Sequence, residues 1–458
     1  MEREAISMTL MENAVKKGAE YADLRHDVKT IYSLLRENRT TLTQMVQVNA
    51  GYCLRVIVDG AWGTGITTDE RDLPRLLTSV LKAARSQHRG TKIQMGEVPP
   101  GKETYEKKAK NPFKDNNQVD FMASLEDCAH EQSPRISSLT LFSQAIERQV
   151  HIETSEGRTV DSWIDTISLR MNISCKEGNS IESRTRTWGG IGGTEYIRGQ
   201  EDLIMQEAAG LAREADILVE ADHSPASTID CVLSHSLTGT LLHEAFGHAV
   251  EADSVISNES ILAGRIGEKV AVSNITMVDD PSALLFGHYA FDHEGTRGER
   301  TTVVERGILS SYLHSRETAA FLHSHPTGHC KAEFYSNTPI VRQGNTILIP
   351  RDYAVEELLE LGDGLYLGDS AGGQVNVGEG TFTFGTQFTR KIHNGELGEY
   401  MKGCSLSGNI LESMKNVDAV GKNTITIAAG CGKGQMDLQG RSMPQIRLRE
   451  VMIGGRGS

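Results

Sequence analysis

No Cys-x-x-Cys pair occurs in this 458-residue chain, and its seven cysteines (53, 128, 175, 231, 330, 404 and 431) are odd in number and widely spaced. That excludes a disulfide framework and is the usage of a reduced cytosolic protein. No apolar run approaches the ~18 residues of a membrane span. Basic residues are too few for a nucleic-acid or anionic-membrane surface: 47 Lys and Arg against 61 Asp and Glu leave a net charge of −14. Aromatics are scarce at 5%, whereas the 46 glycines grow dense toward the C-terminus, which favours hairpins and tight turns over bundles. No Gly-x-Ser-x-Gly elbow stands near a plausible triad. Gly430-Cys431-Gly432-Lys433-Gly434 lacks the Gly spacing and the Ser/Thr of a phosphate loop. Met1-Glu2-Arg3-Glu4 has no apolar core behind it, so no signal peptide and a cytoplasmic location are expected.

The length predicts two or three domains. Residues 3–17 read as a helix with Met8, Met11, Ala14 and Val15 on one stripe. Strands are expected at Met45–Val48 and Tyr52–Val58 around a turn at Asn49-Ala50-Gly51, then at Ala61–Gly63, before a helix from Asp72. Polar residues 89–117 read as a long exposed loop. After a helix from Val119 to about His130, runs at Ile136–Phe142, Gln149–Trp163 and Ile167–Cys175 predict an antiparallel meander. Ile204, Ala208, Leu211, Ala215 and Leu218 mark an amphipathic helix. Ala221–Ser227 reads as a linker between an N-terminal domain (1–222) and a C-terminal domain (228–458). Beyond it, strands are expected near Cys231–Leu233, Thr302–Glu305, Ile308–His314, Asn345–Ile349, Gln374–Val377, Thr381–Ile392 and Thr424–Ile427. Helices are expected from Asp352 to Gly362 and from Asn409 to Val420. Helices and strands are segregated, so the class is α+β: an N-terminal α/β domain with a mixed or antiparallel sheet, and a β-rich C-terminal domain carrying a metal-binding helix.

That helix is Leu241-Leu242-His243-Glu244-Ala245-Phe246-Gly247-His248-Ala249-Val250-Glu251, with Ser236 and Thr238 as helix starters. His-Glu followed by a second His offers a divalent ion two imidazoles and a general base. The familiar spacing is i, i+4. Here the spacing is i, i+5, and a regular helix would point the imidazoles roughly 140° apart. A π-type turn returns them to within about 50° of each other, and Gly247 is where a bulge is tolerated. The helix is therefore expected to be wound wide or broken near Gly247, with both imidazoles facing the loop that carries Cys431. A catalytic zinc needs a third protein ligand. Cys431 is the best candidate, since it follows a strand, sits between Gly430 and Gly432, and precedes the cation of Lys433. The competing reading is a small residue in a Gly-rich turn.

Other clusters are less specific. Asp279-Asp280 and Asp292-His293-Glu294-Gly295 either support the site or form solvated turns. His323, His325, His329 and Cys330 fit loop positions around Pro326-Thr327-Gly328 better than a metal site. Arg342 and Asn345 are either substrate contacts or hydrogen-bonded strand ends, and Cys53 and Cys231 read as buried strand residues.

With these residues assembled, the sequence resembles the TldD/PmbA family, TldD branch. The match is carried by Gly18–Arg25, Asp59-Gly60-Ala61-Trp62-Gly63, His243–Asp253, Asp292-His293-Glu294-Gly295, Gly372–Val377 and Gly430-Cys431-Gly432-Lys433-Gly434-Gln435. The resemblance implies a cytoplasmic zinc metallopeptidase. Its zinc ligands map onto His243, His248 and Cys431, and its catalytic glutamate maps onto Glu244. It also implies the catalytic subunit of a complex with a paralogous PmbA/TldE-like partner, with a homodimer as the alternative, while the acidic charge speaks against binding of nucleic acid or membrane. Departures fall at His293 and across Arg342-Gln343-Gly344-Asn345-Thr346. The expected activity is hydrolysis of peptide bonds in unfolded or extended peptides held by strand addition. Two rivals use the same ligands: a deformylase-like amide hydrolase, and a partner-binding subunit whose structural zinc has a fourth protein ligand.

Overall fold

The computed structural model describes residues 2–87, 92–111, 113 and 117–455. The first half contains α1 (Glu2–Lys16), β1 (Tyr21–Glu37), β2 (Thr40–Val58), β3 (Ala61–Thr67), α2 (Leu73–Arg85), β4 (Gly101–Lys107) and α3 (Asn117–His130). It continues with β5 (Ile136–Thr154), β6 (Arg158–Glu177), β7 (Ser180–Ile191), α4 (Thr194–Arg198) and α5 (Glu201–Leu218). Its seven strands form one sheet in the order β3-β2-β1-β5-β6-β4, with β7 also on β6. Strand β4 runs parallel to β6 and the other pairs are antiparallel, so the sheet is mixed. Period-2 alternation gives the long strands two different faces. Leu139, Leu141, Ile167 and Leu169 pack under α5, whose Ile204, Ala208, Leu211 and Ala215 recur at the expected helical spacing. The alternate residues face the second half of the chain.

Several expectations are corrected here. β5 and β6 are uninterrupted strands of 19 and 20 residues, because the polar residues that seemed to end the apolar runs occupy one face without breaking the pairing. No turn occurs at Asn49-Ala50-Gly51, and β2 runs straight through, paired with Lys29, Val28 and Asp27 of β1. Gly51 is there for close approach, since a Cβ would sit 2.5 Å from the Tyr335 ring. The expected 89–117 loop contains the edge strand β4. Residues 89–91, 112 and 114–116 of that stretch lie outside the described residues.

The second half comprises β8 (Ser227–Leu233), α6 (His235–Thr240), α7 (Ala252–Ile256), β9 (Met277–Asp279), β10 (Thr301–Glu305), β11 (Ile308–Leu309), α8 (Arg316–Phe321), β12 (Cys330–Lys331), β13 (Ile340–Val341) and β14 (Asn345–Leu348). After these come α9 (Val355–Leu358), β15 (Asp363–Leu367), β16 (Ser370–Asn376), β17 (Thr381–Thr386), β18 (Phe388–His393), β19 (Glu396–Lys402), β20 (Ser405–Asn409), α10 (Ile410–Lys415), β21 (Val417–Lys433) and β22 (Gln435–Gly454). β22 is the hub of a 13-stranded sheet and pairs with β8, β14, β20 and β21 along its length. The helix expected to run to Val420 ends at Lys415, and Val417 and Val420 belong to β21. The one expected from Asp352 is a single turn capped at Ala354, and the strand expected to reach His314 ends at Leu309. Neither β1 nor β22 is foreseen from the sequence. β22 buries Gln439, Arg441, Gln445 and Arg447 among Met443, Ile446 and Leu448, so its apolar alternation is interrupted. The class is α+β with two β-rich halves. Among the described residues, no helix is long and apolar enough to cross a membrane.

Candidate metal centre

Ser234, rather than Ser236 or Thr238, caps the motif helix by accepting from the Leu237 amide. After α6 the backbone widens into a π-helix over Leu241–Gly247, then tightens to a 3-10 turn over His248–Val250. The extra residue between the imidazoles is absorbed as expected: the rings of His243 and His248 lie 5.2 Å apart at an interplanar angle of 71°. Gly247 has an ordinary helical φ of −61°. Its lack of a side chain matters for packing, because a Cβ there would lie 1.9 Å from Gln343 Oε1.

That Gln343 amide sets the state of His243. Thr346 Oγ1 donates to Gln343 Oε1 (2.8 Å), and Gln343 Nε2 donates to the His243 carbonyl (3.2 Å). The threonine hydroxyl, its proton committed, accepts from His243 Nδ1 at 3.1 Å. The Nδ1–H tautomer follows, and Nε2 carries a bare lone pair. This atom is buried and has no hydrogen-bond partner, and the whole residue has 0% exposure. His248 has the same polarity: Nδ1 donates to Glu251 Oε2 (2.8 Å), leaving Nε2 3.1 Å from Cys431 Sγ and 3.4 Å from Glu244 Oε2. Ligand atoms of His243, Glu244, His248 and Cys431 all lie within 4.8 Å of one another. An orphaned imidazole nitrogen, a second oriented imidazole and a thiol fit a divalent zinc ion, with carboxylate and hydroxyl partners behind the histidines as metal sites require.

Burial holds His243 well below the usual imidazole range, helped by Arg441. Burial also disfavours a charged His248, but Glu251, Cys431 and Glu244 outweigh it and raise its pKa well above normal. Glu251 is opposed by its burial yet brought down to about 2 by His248 and Lys433. For Glu244, burial pushes up, and the His248 hydrogen bond and Arg441 bring the net value down. Arg441 Nη2 donates to Glu244 Oε1 (3.1 Å) and Nη1 to Thr240 Oγ1 (3.2 Å).

Cys431 lies within strand β21, three residues before the Gly434 turn into β22, rather than in a loop after a shorter strand. Lys433 does not address the thiol. Its Nζ contacts Glu251 Oε2 (3.0 Å) and Asp253 Oδ1 (2.7 Å), which ties the cysteine hairpin to the motif helix. Arg342, expected as either a substrate contact or a hydrogen-bonded strand end, donates to the carbonyls of Cys431 (2.9 Å) and Gln435 (2.6 Å). Asn345 donates to the Asp280 and Ala283 carbonyls and accepts from the Gly287 amide, so its side chain is used within the scaffold.

The acidic pairs are buried rather than solvated. Asp279 Oδ1 accepts from the Gly344 amide (2.7 Å) and faces His329 Nε2 (3.1 Å), and Asp292 accepts from the amides of Glu294, Thr296 and Cys330. His293 Nδ1 accepts from the Ala332 amide, and His325 is exposed beside Glu299. Among the described residues, none of these joins the metal cluster. Thr346, Gln343, Glu251 and Arg441 are the supporting residues that sequence reasoning missed. Only Glu251, three positions after His248 and just beyond its 3-10 turn, left a local signal.

Glu244 and Cys431 open onto a cavity of 750 Å³ walled by Ser370–Gly373 of β16, Ile425–Gly432 of β21, Arg441, and Arg170 and Arg186 from the first half. Two imidazoles, a thiol and an adjacent carboxylate converge on a wide-wound helix beside a cavity, a donor set suited to a metal ion.

Comparison with known proteins agrees. Residues 226–455 match the PmbA/TldA metallopeptidase C-terminal domain. A curated "Metalloprotease" of Methanothermobacter thermautotrophicus is 34% identical, over 96% of this chain and 97% of its own length. A "Zinc metalloprotease TldD homolog" of Saccharolobus solfataricus is 26% identical, over 97% and 99%. The fold matches a candidate DNA gyrase modulator of Thermotoga maritima with a TM-score of 0.80 at 20% identity, covering 99% of this chain and 100% of that one. It also matches TldE from Thermococcus kodakarensis with a TM-score of 0.79 at 16% identity, covering 98% and 100%. The chain belongs to the TldD/PmbA family, in its TldD branch.

Proposed function

We propose that this protein is a zinc-dependent peptidase that hydrolyses peptide bonds in unfolded or extended chains, with His243, His248 and Cys431 holding the metal and Glu244 as the proton-transfer group. The observation that carries this reading is the bare, buried Nε2 of His243 converging with His248 Nε2 and Cys431 Sγ. When bound there, zinc supplies Lewis acidity toward a carbonyl oxygen and acidifies water. Glu244 Oε1 is held by Arg441, which leaves Oε2 to accept a proton from the attacking water and return it to the leaving amine. The cavity segments of β16 and β21 each pair on one side only among the described residues, with β17 and β22 respectively. Their other edges suit an extended peptide held by backbone hydrogen bonds.

The two sheets fall on either side of residue 222, which supports the two-unit reading of 1–222 and 228–458. A paralogous TldE-like partner, or a second copy of the chain, belongs to the same reading, supported by the likeness in fold to TldE.

The test is zinc stoichiometry and digestion of an unfolded polypeptide by wild type, Cys431→Ser and His243→Ala. One zinc per chain and cleavage are expected for wild type only. Variants that keep full zinc and full cleavage would sink the assignment.

A further inference from the structure

A second cavity, of 530 Å³, adjoins the metal cavity and shares Arg170, Thr187, Ala429 and Gly430 with it. Its floor is built by β5 and β6 in register. The lining pairs Phe142 with Arg170, Gln144 with Ser168, Ile146 with Thr166, Arg148 with Ile164, Val150 with Ser162, and Ile152 with Val160. Successive pairs are two residues apart, so the floor runs about 34 Å at ~3.4 Å per residue, the length of roughly ten residues of extended peptide. Its roof comes from the second half and includes Phe286, Phe291, Phe334 and Tyr289. In a chain with 11 phenylalanines, four (Phe142, Phe286, Phe291 and Phe334) line this one trough. Such a concentration in a chain poor in aromatics marks a binding surface for apolar groups.

From this continuity we infer that the trough is a substrate subsite, and that it takes the apolar segment of a peptide whose scissile bond lies at the metal cluster. The inference rests on the peptidase reading above and deepens it. Selection falls on peptides carrying bulky aliphatic or aromatic side chains several residues from the cut, the kind of segment that a folded protein buries and an unfolded one exposes. His293 stands at the lining with Nδ1 accepting from the Ala332 amide, so Nε2 carries the proton and adds a donor to those of Lys29, Arg148, Arg170 and Lys331 along the largely apolar trough.

The test separates binding from cleavage. Two fluorescein-labelled twelve-residue peptides, one with a Leu-Val-Phe-Leu block and one with Ser-Gly-Ser-Gly in its place, are titrated by anisotropy into wild type, Glu244→Gln, Phe334→Ala and Ile164→Ser. Wild type and Glu244→Gln are expected to bind the apolar peptide at least tenfold more tightly than the polar one. Phe334→Ala and Ile164→Ser, neither of them a metal ligand, are expected to lose most of that preference while retaining one zinc per chain. Equal binding of the two peptides by wild type, or an unchanged preference in a folded Phe334→Ala, overturns the subsite. Apolar binding in a protein that neither holds zinc nor cleaves would keep the trough and overturn only the peptidase reading.

Discussion

At the residue scale the centre depends on one glycine and one hydroxyl. Gln343 fills the space where a Gly247 Cβ would go, and from there it orients Thr346, which in turn orients His243. Gly247→Ala is therefore expected to cost about 1–3 kcal/mol from overpacking and to loosen zinc as well, because Gln343 must shift. Thermal unfolding and zinc retention against a chelator check this, and a melting temperature within ~1 °C of wild type with full zinc would refute it. His243, His248, Glu244 and Cys431 were legible in the sequence because their side-chain chemistry is rare and three of them are neighbours on one helix. Thr346 and Arg441 were not, since an ordinary threonine or arginine gains its role only from what folding brings beside it.

At the scale of elements, the wide helix turn and the β21–β22 hairpin have to meet. The i, i+5 spacing announces the first, and the structure shows the π-helix over Leu241–Gly247 that it requires. Nothing local announces the second. The hairpin is pinned by Arg342 to the carbonyls of Cys431 and Gln435, and by Lys433 to Glu251 and Asp253. Arg342→Met keeps the aliphatic stem but leaves those carbonyls without a charged donor, at a cost of about 2–3 kcal/mol. Zinc is expected to dissociate at least tenfold faster, with Arg342→Lys intermediate. If Arg342 instead met substrate, the methionine variant would raise KM and leave zinc retention unchanged.

For the whole molecule, acid stability has an identifiable contributor in His314, far along the chain from the motif helix. Burial, with His325 and His329 nearby, lowers its pKa to about 4. In the unfolded chain the imidazole titrates near ~6.5, so between those values the unfolded state binds more protons. The stabilising contribution is complete above about pH 6.5 and is lost as pH falls toward 4, by about 2–3 kcal/mol. His314→Asn keeps a group able to meet Thr318 Oγ1, now 3.3 Å from Nδ1, and removes the titration. Denaturation at pH 7 and pH 4.5 should show a smaller acid loss in the variant than in wild type, and equal losses would refute the assignment. The same scale explains why the meander of β5 and β6 was legible only in part. Residues Gln144, Ser162 and Ser168 line the trough rather than a core, so the apolar alternation that marks a strand lapses where the sheet faces a cavity.

The sequence by itself determined the α+β class, the amphipathic helices, the reduced cysteines, and a metal motif whose odd spacing required a widened turn. These follow from local rules: helical and strand periodicity, capping, and the chemistry of His, Glu and Cys. Tertiary structure alone decided that Cys431 reaches His248 across 183 positions, that Arg342 and Asn345 serve the scaffold, and that β22 runs through the centre of its sheet. The reason is physical. A buried polar residue is stabilised by partners distant in sequence, and no local pattern encodes which partner it will find.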